Sequence, residues 1–157
     1  MMKIHRVNHN YIHTLVELRL TYLQYHFGEL SKDEQNQLLK QLPDYFTRHL
    51  EKDFFAYIAE DEGKAVSTAF LVINEKPANP NFITGKTGML LNVYTDPDYR
   101  RQGIATKILK ELIEIAKKEN LSYIEIVATE AGIPVYRKLG FIEKVADNME
   151  MRLDLLD

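Results

Sequence analysis

The tightest constraint on the fold is a change of apolar period between residues 88 and 128. Gly88 to Thr95 (GMLLNVYT) is a continuous apolar strand ended by Asp96-Pro97. Gly103 to Asn120 then places Ile104, Ile108, Leu109, Leu112, Ile115 and Ala116 at helical spacing, and Ser122 to Ala128 (SYIEIVA) returns to a strand. Two strands joined by one such helix form a candidate right-handed parallel crossover. A crossover commits the chain to a sheet with a helix on its face, so the class is α/β.

The flanking sequence extends that sheet. Met2 to Val7 reads as a short strand, and Asn8 can cap a helix whose apolar positions are Ile12, Leu15, Val16, Leu18, Tyr22 and Leu23, with Gly28 as its stop. Ser31-Lys32-Asp33-Glu34 is a capping box opening a second helix, which Pro43 is expected to interrupt. Phe54 to Ala59 and Ala65 to Ile73 form a hairpin across Asp61-Glu62-Gly63-Lys64, and Lys76 to Lys86 is an exposed loop. Beyond residue 128, Ala131 to Leu139 is a short helix stopped by Gly140. A last hairpin pairs Phe141 to Val145 with Met149 to Leu153 around Asp147-Asn148. A chain of 157 residues favours one domain.

Composition removes several function classes. There is no cysteine, so disulfides, a thiolate nucleophile and cysteine-ligated zinc are excluded. A net charge of -3 and a pI near 6.0 argue against a dedicated nucleic-acid partner. No run of about 18 apolar residues and no apolar leader occur, which implies a cytoplasmic protein without a membrane partner. His9 and His13 are four apart, but no third ligand follows at sensible spacing, so a solvated helix face is expected and no metal. Lys107, Lys110, Lys117 and Lys118 read as the wet face of the long helix, where Glu114 and Lys118 form an i,i+4 pair.

DPDYRRQGIATKIL, residues 96 to 109, carries the chemistry. A strand leads into a tight segment and then a helix N-terminus, where free N–H groups and the positive dipole end attract anions. Gly103 lets backbone approach a ligand without a Cβ in the way, and Arg100 and Arg101 add guanidinium donors suited to phosphate. Ala105 and Thr106 keep the first turn small. The segment has neither the three glycines of the dinucleotide fingerprint nor the G-x-x-x-x-G-K-[ST] of the triphosphate loop.

Arg100-x-x-Gly103-x-Ala105 after a strand resembles the [QR]-x-x-G-x-[GA] pyrophosphate signature of the GNAT superfamily of N-acetyltransferases. Ala131-Gly132-Ile133-Pro134-Val135-Tyr136-Arg137-Lys138-Leu139-Gly140-Phe141 resembles the family's A-x-x-x-Y-x-x-x-G-F segment. The resemblance implies a single domain over 1–157, with acceptor-side helices in 1–53 and an acetyl-CoA-binding core in 54–153. It implies a mixed, mostly antiparallel central sheet of about six to seven strands flanked by helices. It implies acetyl-CoA as cosubstrate and often a homodimer. Residues Val93, Tyr94 and Thr95 would contact acetyl and pantetheine. Arg100, Arg101, Gln102, Gly103, Ile104, Ala105 and Thr106 would hold the pyrophosphate. Thr129 would lie beside the cofactor, and Tyr136 would be the general acid. Two positions depart from the pattern. Arg101 stands where glycine is usual, and Thr129-Glu130 fill a neighbourhood that often holds asparagine.

Acyl transfer requires the thioester to be positioned, its carbonyl polarised, and a proton delivered to the leaving thiolate. A phenol near pKa 10 can donate to a thiolate whose conjugate acid lies near 8.5. Direct attack is expected, because no cysteine exists and no serine has an evident base partner. Glu130, Glu29 and the histidines all remain open as the base. Arg19, Tyr22, Tyr25 and His26 form a polar-aromatic stripe on the first helix, which either packs or lines the acceptor site, with Arg19, Tyr22 and Asn92 as acceptor contacts. The expected acceptor is a small-molecule amine. A protein α-amine or lysine, and a non-catalytic acyl-CoA sensor, are the alternatives.

Overall fold

The computed structural model describes residues 1–156. It divides into two compact units, one spanning Met1–Val127 and one beginning at Ala128. The first contains the sheet. Strands β2 (Phe54–Asp61) and β3 (Lys64–Glu75) form the expected hairpin, somewhat longer than the apolar runs alone suggest. Its two turn residues, Glu62 and Gly63, are both left-handed, which matches the twist of the strands they join. β1 (Lys3–Arg6) pairs antiparallel with β2, and β4 (Lys86–Thr95) pairs antiparallel with β3. β5 (Ile124–Glu125) runs parallel to β4, as the crossover requires, giving the order β1-β2-β3-β4-β5.

Helices cover both faces. β2 is apolar almost throughout (FFAYIA) because it is buried on both sides. Phe54, Ala56 and Ile58 join a cluster with Leu15 and Val16 of α1 (Ile12–Phe27) and with Leu42 and Phe46 of α2 (Lys32–His49). Phe46 and Phe70 lie 5.2 Å from Phe54, centroid to centroid, the first tilted and the second edge-on. On the opposite face the Tyr57 hydroxyl reaches Glu111 of α3 (Ile104–Lys118) at 3.5 Å. α3 buries Ile104, Ile108, Leu109, Leu112, Ile115 and Ala116, the stripe expected from the sequence. On its wet face, Glu114 pairs with Lys117 at 3.3 Å rather than with Lys118.

Three further expectations are corrected. Pro43 does not interrupt the second helix; α2 runs through it. Buried Leu42, Phe46 and Leu50 lie on both sides of the proline and hold the helix together by packing. The carbonyl of Leu39, deprived of its partner, belongs to an exposed residue that water can reach. Second, strand 122–128 shrinks to Ile124–Glu125, so the sheet has five strands among the described residues rather than six to seven.

The third correction lies in the second unit. There α4 (Ile133–Lys138) forms, but the hairpin of Phe141–Val145 with Met149–Leu153 does not, and residues 141–156 have no regular secondary structure. Ile142, Val145, Met149, Met151 and Leu153 are all more than four-fifths exposed. A lone two-stranded hairpin is marginal without a third strand or a helix to cover it.

α2 supplies a test of packing against propensity. Pro43→Ala restores one helical hydrogen bond and should raise stability by about 1–3 kcal/mol. Urea unfolding measures it, and a loss of stability would show that the proline ring itself is a packing element.

Candidate functional site

Two features of β4 create a site at its C-terminal half. The first is a bulge. On β3, Thr68 and Phe70 are separated by one residue, whereas their partners Tyr94 and Leu91 on β4 are separated by two. The additional residue falls at Asn92-Val93, and Asn92 takes a left-handed φ of 56°. The second is the loss of a neighbour: pairing with β5 ends at Met89↔Glu125. Beyond that point β4 keeps β3 on one side and, among the described residues, pairs with no strand on the other.

The bulge decides which groups face the open edge. Ahead of it, the Gly88 N–H bonds across to Tyr123 O at 2.9 Å, on the β5 side. Past it, the Asp96 N–H bonds to Val66 O at 2.8 Å, on the β3 side. Strand alternation therefore turns the backbone of Thr95, and of Val93 before it, to the open edge. Ser67, buried on β3, fixes this end of the strand, donating to Tyr94 O at 3.1 Å and lying 2.8 Å from Thr95 Oγ1. Ser67 gave no signal in the sequence, where it is one polar residue within an apolar strand.

The cradle follows. Asp96 accepts from the Asp98 N–H at 3.1 Å and caps a 3-10 turn over Pro97–Tyr99. The Tyr99 hydroxyl donates to Asp61 at 2.8 Å, tying the loop to the end of β2. That hydrogen bond holds the Asp61 carboxyl below its ordinary value and raises the Tyr99 phenol. Arg101 and Gly103 then adopt φ of 61° and 76°. The first explains why glycine would suit position 101, since a side chain there strains a left-handed backbone. Gly103 opens α3 with no side-chain cap, and the first turn carries no acidic residue. The first helical bond is Lys107 N–H to Gly103 O, so the N–H groups of Ile104, Ala105 and Thr106 lack helical partners. A Cβ on Gly103 would meet nothing within 4 Å, so the approach is open.

Arg100 is turned back toward α1. Its Nε donates to Thr95 O at 2.9 Å, and its guanidinium lies 5.8 and 5.7 Å from the ring centres of Tyr25 and Tyr94. The Arg100 Nη groups and the backbone N–H groups are what the cradle offers an anion. Arg101 and Gln102 are exposed.

α1 brings its polar-aromatic stripe to β4. Tyr25 and Tyr22 meet the Tyr94 ring edge-on at 5.4 and 6.5 Å, and Tyr22 stacks on His26 at 5.9 Å. Arg19 Nη1 donates to Asn92 Oδ1 at 3.3 Å, and Asn92 Nδ2 to Leu18 O at 3.4 Å. Of Arg19, Tyr22, Tyr25 and His26, the first three thus lie against the β4 bulge or the Tyr94 ring beside it. Two open clefts of about 460 and 410 Å³ lie elsewhere, around Arg48, His49 and Lys52 and around His5 and Glu111; of the sequence-predicted candidates they contain only His49 and His5, two of the histidines considered as the base.

In the second unit, α4 ends in a Schellman cap. The Phe141 N–H bonds to Tyr136 O at 3.0 Å and the Gly140 N–H to Arg137 O at 3.1 Å, with Gly140 at φ 101°. The Tyr136 and Phe141 rings meet edge-on at 5.8 Å. A Cβ on Gly132 would come 2.8 Å from Tyr136 Cε2, so any side chain there would force the buried ring to shift. The Tyr-x-x-x-Gly-Phe spacing is therefore a helix stop that orients the tyrosine. Thr129 is exposed, and its carbonyl accepts from Gly132 N–H at 2.9 Å.

His9 and His13 serve separately: His13 pairs with Glu17 at 2.5 Å, and His9 lies 3.3 Å from Thr47 O. No cluster of three His, Asp or Glu among the described residues could hold a metal ion, and no described helix is long and apolar enough to cross a membrane.

An open strand edge beside a bulge thus leads into an uncapped helix start whose free N–H groups can accept an anion. The sequence profile of the Acetyltransferase (GNAT) family matches residues 12–141, and the chain belongs to that family. A predicted acetyltransferase with acetyl-CoA from Clostridium acetobutylicum is 31% identical, with a TM-score of 0.83 over 97% of this chain and 96% of its own. Glucosamine 6-phosphate N-acetyltransferase of Trypanosoma brucei brucei is 33% identical over 95 residues, 59% of each chain. The [ribosomal protein bS18]-alanine N-acetyltransferase of Escherichia coli K12 is 39% identical over 57 residues, 34% of this chain and 38% of its own. The chain thus covers less than two thirds of the length of these last two relatives.

The left-handed pair in the loop predicts substitutions of opposite sign. Arg101→Gly should raise unfolding free energy by about 0.5–1 kcal/mol, and Gly103→Ala should lower it by about 1–2 kcal/mol from backbone strain alone. Urea titration of both variants measures this; equal signs would contradict the backbone account.

Proposed function

We propose that this chain is an N-acetyltransferase that moves the acetyl group of acetyl-CoA directly to the primary amine of a small molecule. The observation that carries the reading is the unpaired edge of β4 at Val93 and Thr95, leading within one unit to the uncapped start of α3. The family profile runs from residue 12 to 141, across both compact units, which favours one functional domain over 1–157.

In this reading the N–H groups of Gln102 to Thr106 and the Arg100 guanidinium receive the pyrophosphate, with Arg101 as a flexible outer cation. The Val93 N–H polarises the acetyl carbonyl, and Thr95 fixes the pantetheine chain. The amine nitrogen bonds to the acetyl carbon, the C–S bond breaks, and the thiolate takes the Tyr136 proton. The nitrogen loses one proton to solvent as the amide forms, and solvent returns one to the Tyr136 phenolate, which restores the balance. No covalent acyl-enzyme is formed. Names of relatives that act on glucosamine 6-phosphate support a small acceptor, whereas the bS18-alanine enzyme names a protein α-amine.

Incubation with acetyl-CoA and an amine panel, followed by thiol release, tests the activity. Tyr136→Phe should lower kcat by about 10²–10⁴-fold, the usual range for a general acid, and leave the acetyl-CoA KM within about twofold. Tight acetyl-CoA binding with no thiol release for any amine would favour a sensor instead. An unchanged kcat in Tyr136→Phe would remove the tyrosine from the mechanism.

Arg100→Gln should raise the acetyl-CoA KM clearly more than Arg101→Gln, because only Arg100 is built into the strand end. Steady-state kinetics of the two variants compare them directly, and equal effects would contradict the assignment.

A further inference from the structure

α1 carries a cation that no described acidic residue neutralises. Three exposed arginines each meet a carboxylate: Arg6 with Glu51, Arg48 with Asp44 and Arg152 with Asp154. Arg19 is drawn further from water, yet no Asp or Glu among the described residues pairs with it. Burial holds its guanidinium below the ordinary arginine value, and the ionisable groups that influence it are the Tyr22 and Tyr45 phenols. Solvation favours the reverse arrangement, with the less solvated cation paired and the exposed ones free.

Its position gives the arrangement a use. One of five guanidinium donors is taken by Asn92 Oδ1 at 3.3 Å. Asn92 is 2% exposed, bound to α1 through Leu18 O, and occupies the left-handed position of the β4 bulge. The next residue is Val93, whose backbone faces the open edge. A neutral amide thus holds a planar cationic fork one residue from the edge, leaving donors to spare. Tyr22, one turn along α1 and edge-on to Tyr94, flanks the same place with a phenol.

We infer that the acceptor amine also carries an anionic group, a carboxylate or a phosphate, and that Arg19 flanked by Tyr22 receives it. The inference rests on the acetyl-transfer reading for the location of the amine. Guanidinium binds either oxyanion through paired, charge-assisted N–H donors. Neutralising Arg19 would also offset the cost of holding it from water, so the free energy of burial appears as selectivity for the anion.

Matched pairs test it: β-alanine against β-alaninamide, and phosphoethanolamine against ethanolamine, titrated calorimetrically into CoA-saturated protein. At least one anion should bind about tenfold or more tightly than its neutral partner, a gap within reach of one charge-assisted pair. Which pair shows the gap tells carboxylate from phosphate. Arg19→Gln should abolish the preference. Asn92→Asp should do the same by supplying a carboxylate from within, and it provides the answer should Arg19→Gln fail to fold. A merely structural Arg19 would move both members of a pair alike.

Wild-type protein with no preference in either pair overturns the inference, as does a preference that survives both substitutions. Thiol release measured on the same pairs separates this from the parent reading. An Arg19-dependent preference without thiol release keeps the anion subsite and removes acetyl transfer. Thiol release without a preference keeps acetyl transfer and removes the subsite.

Discussion

The structure depends on one parting of strands. β4 is held by β3 along its length but by β5 only at Gly88 and Met89. A strand edge is normally a hazard, because unpaired N–H and C=O groups invite another chain. Here the open stretch is short, and the Asn92-Val93 bulge twists it away from regular pairing. The groups left open are those that a pantetheine amide and an acetyl carbonyl would need. The bulge swaps the direction of alternation, so without it the N–H groups of Val93 and Thr95 would face β3 instead.

The remainder of the site is arranged around that end of β4. Ser67 pins the last two residues of the strand, and Tyr99 pins the loop that follows to Asp61. Two left-handed residues turn the chain into α3 without a cap, so the helix begins with its donors exposed. α1 closes the other side through Tyr22, Tyr25 and Arg19. A cation–π contact of Arg100 with Tyr25 and Tyr94 joins the cradle to that helix. The Arg100 loop and the polar-aromatic stripe of α1 therefore share the Tyr94 ring as a common wall.

Much of this was legible in the sequence, for identifiable reasons. The α3 stripe, the Ser31 capping box and the β2–β3 hairpin follow from local periodicity and cap chemistry, and each formed. Arg100-x-x-Gly103-x-Ala105 pointed to the helix start because its meaning is backbone geometry within one short segment. The bulge was not legible, since Asn92 differs from an ordinary strand polar residue only once its pairing with β3 is known. Pro43 misled because propensity was weighed without the burial of Leu42, Phe46 and Leu50 around it. The last hairpin misled because alternation predicts a strand only where a partner exists. For Tyr-x-x-x-Gly-Phe, the sequence conveyed the motif, and the structure supplied its cause in the Schellman cap and the side-chain-free Gly132 beneath the ring.

The central claim is that the open edge of β4 and the start of α3 together receive coenzyme A. Amide hydrogen exchange resolved by residue, with and without saturating CoA, tests it most directly. The account predicts that Val93 and Thr95 and the amides of Gln102 to Thr106 gain protection together, each by about tenfold or more if binding shields a hydrogen-bonded amide. Protection elsewhere with these seven amides unchanged would contradict it.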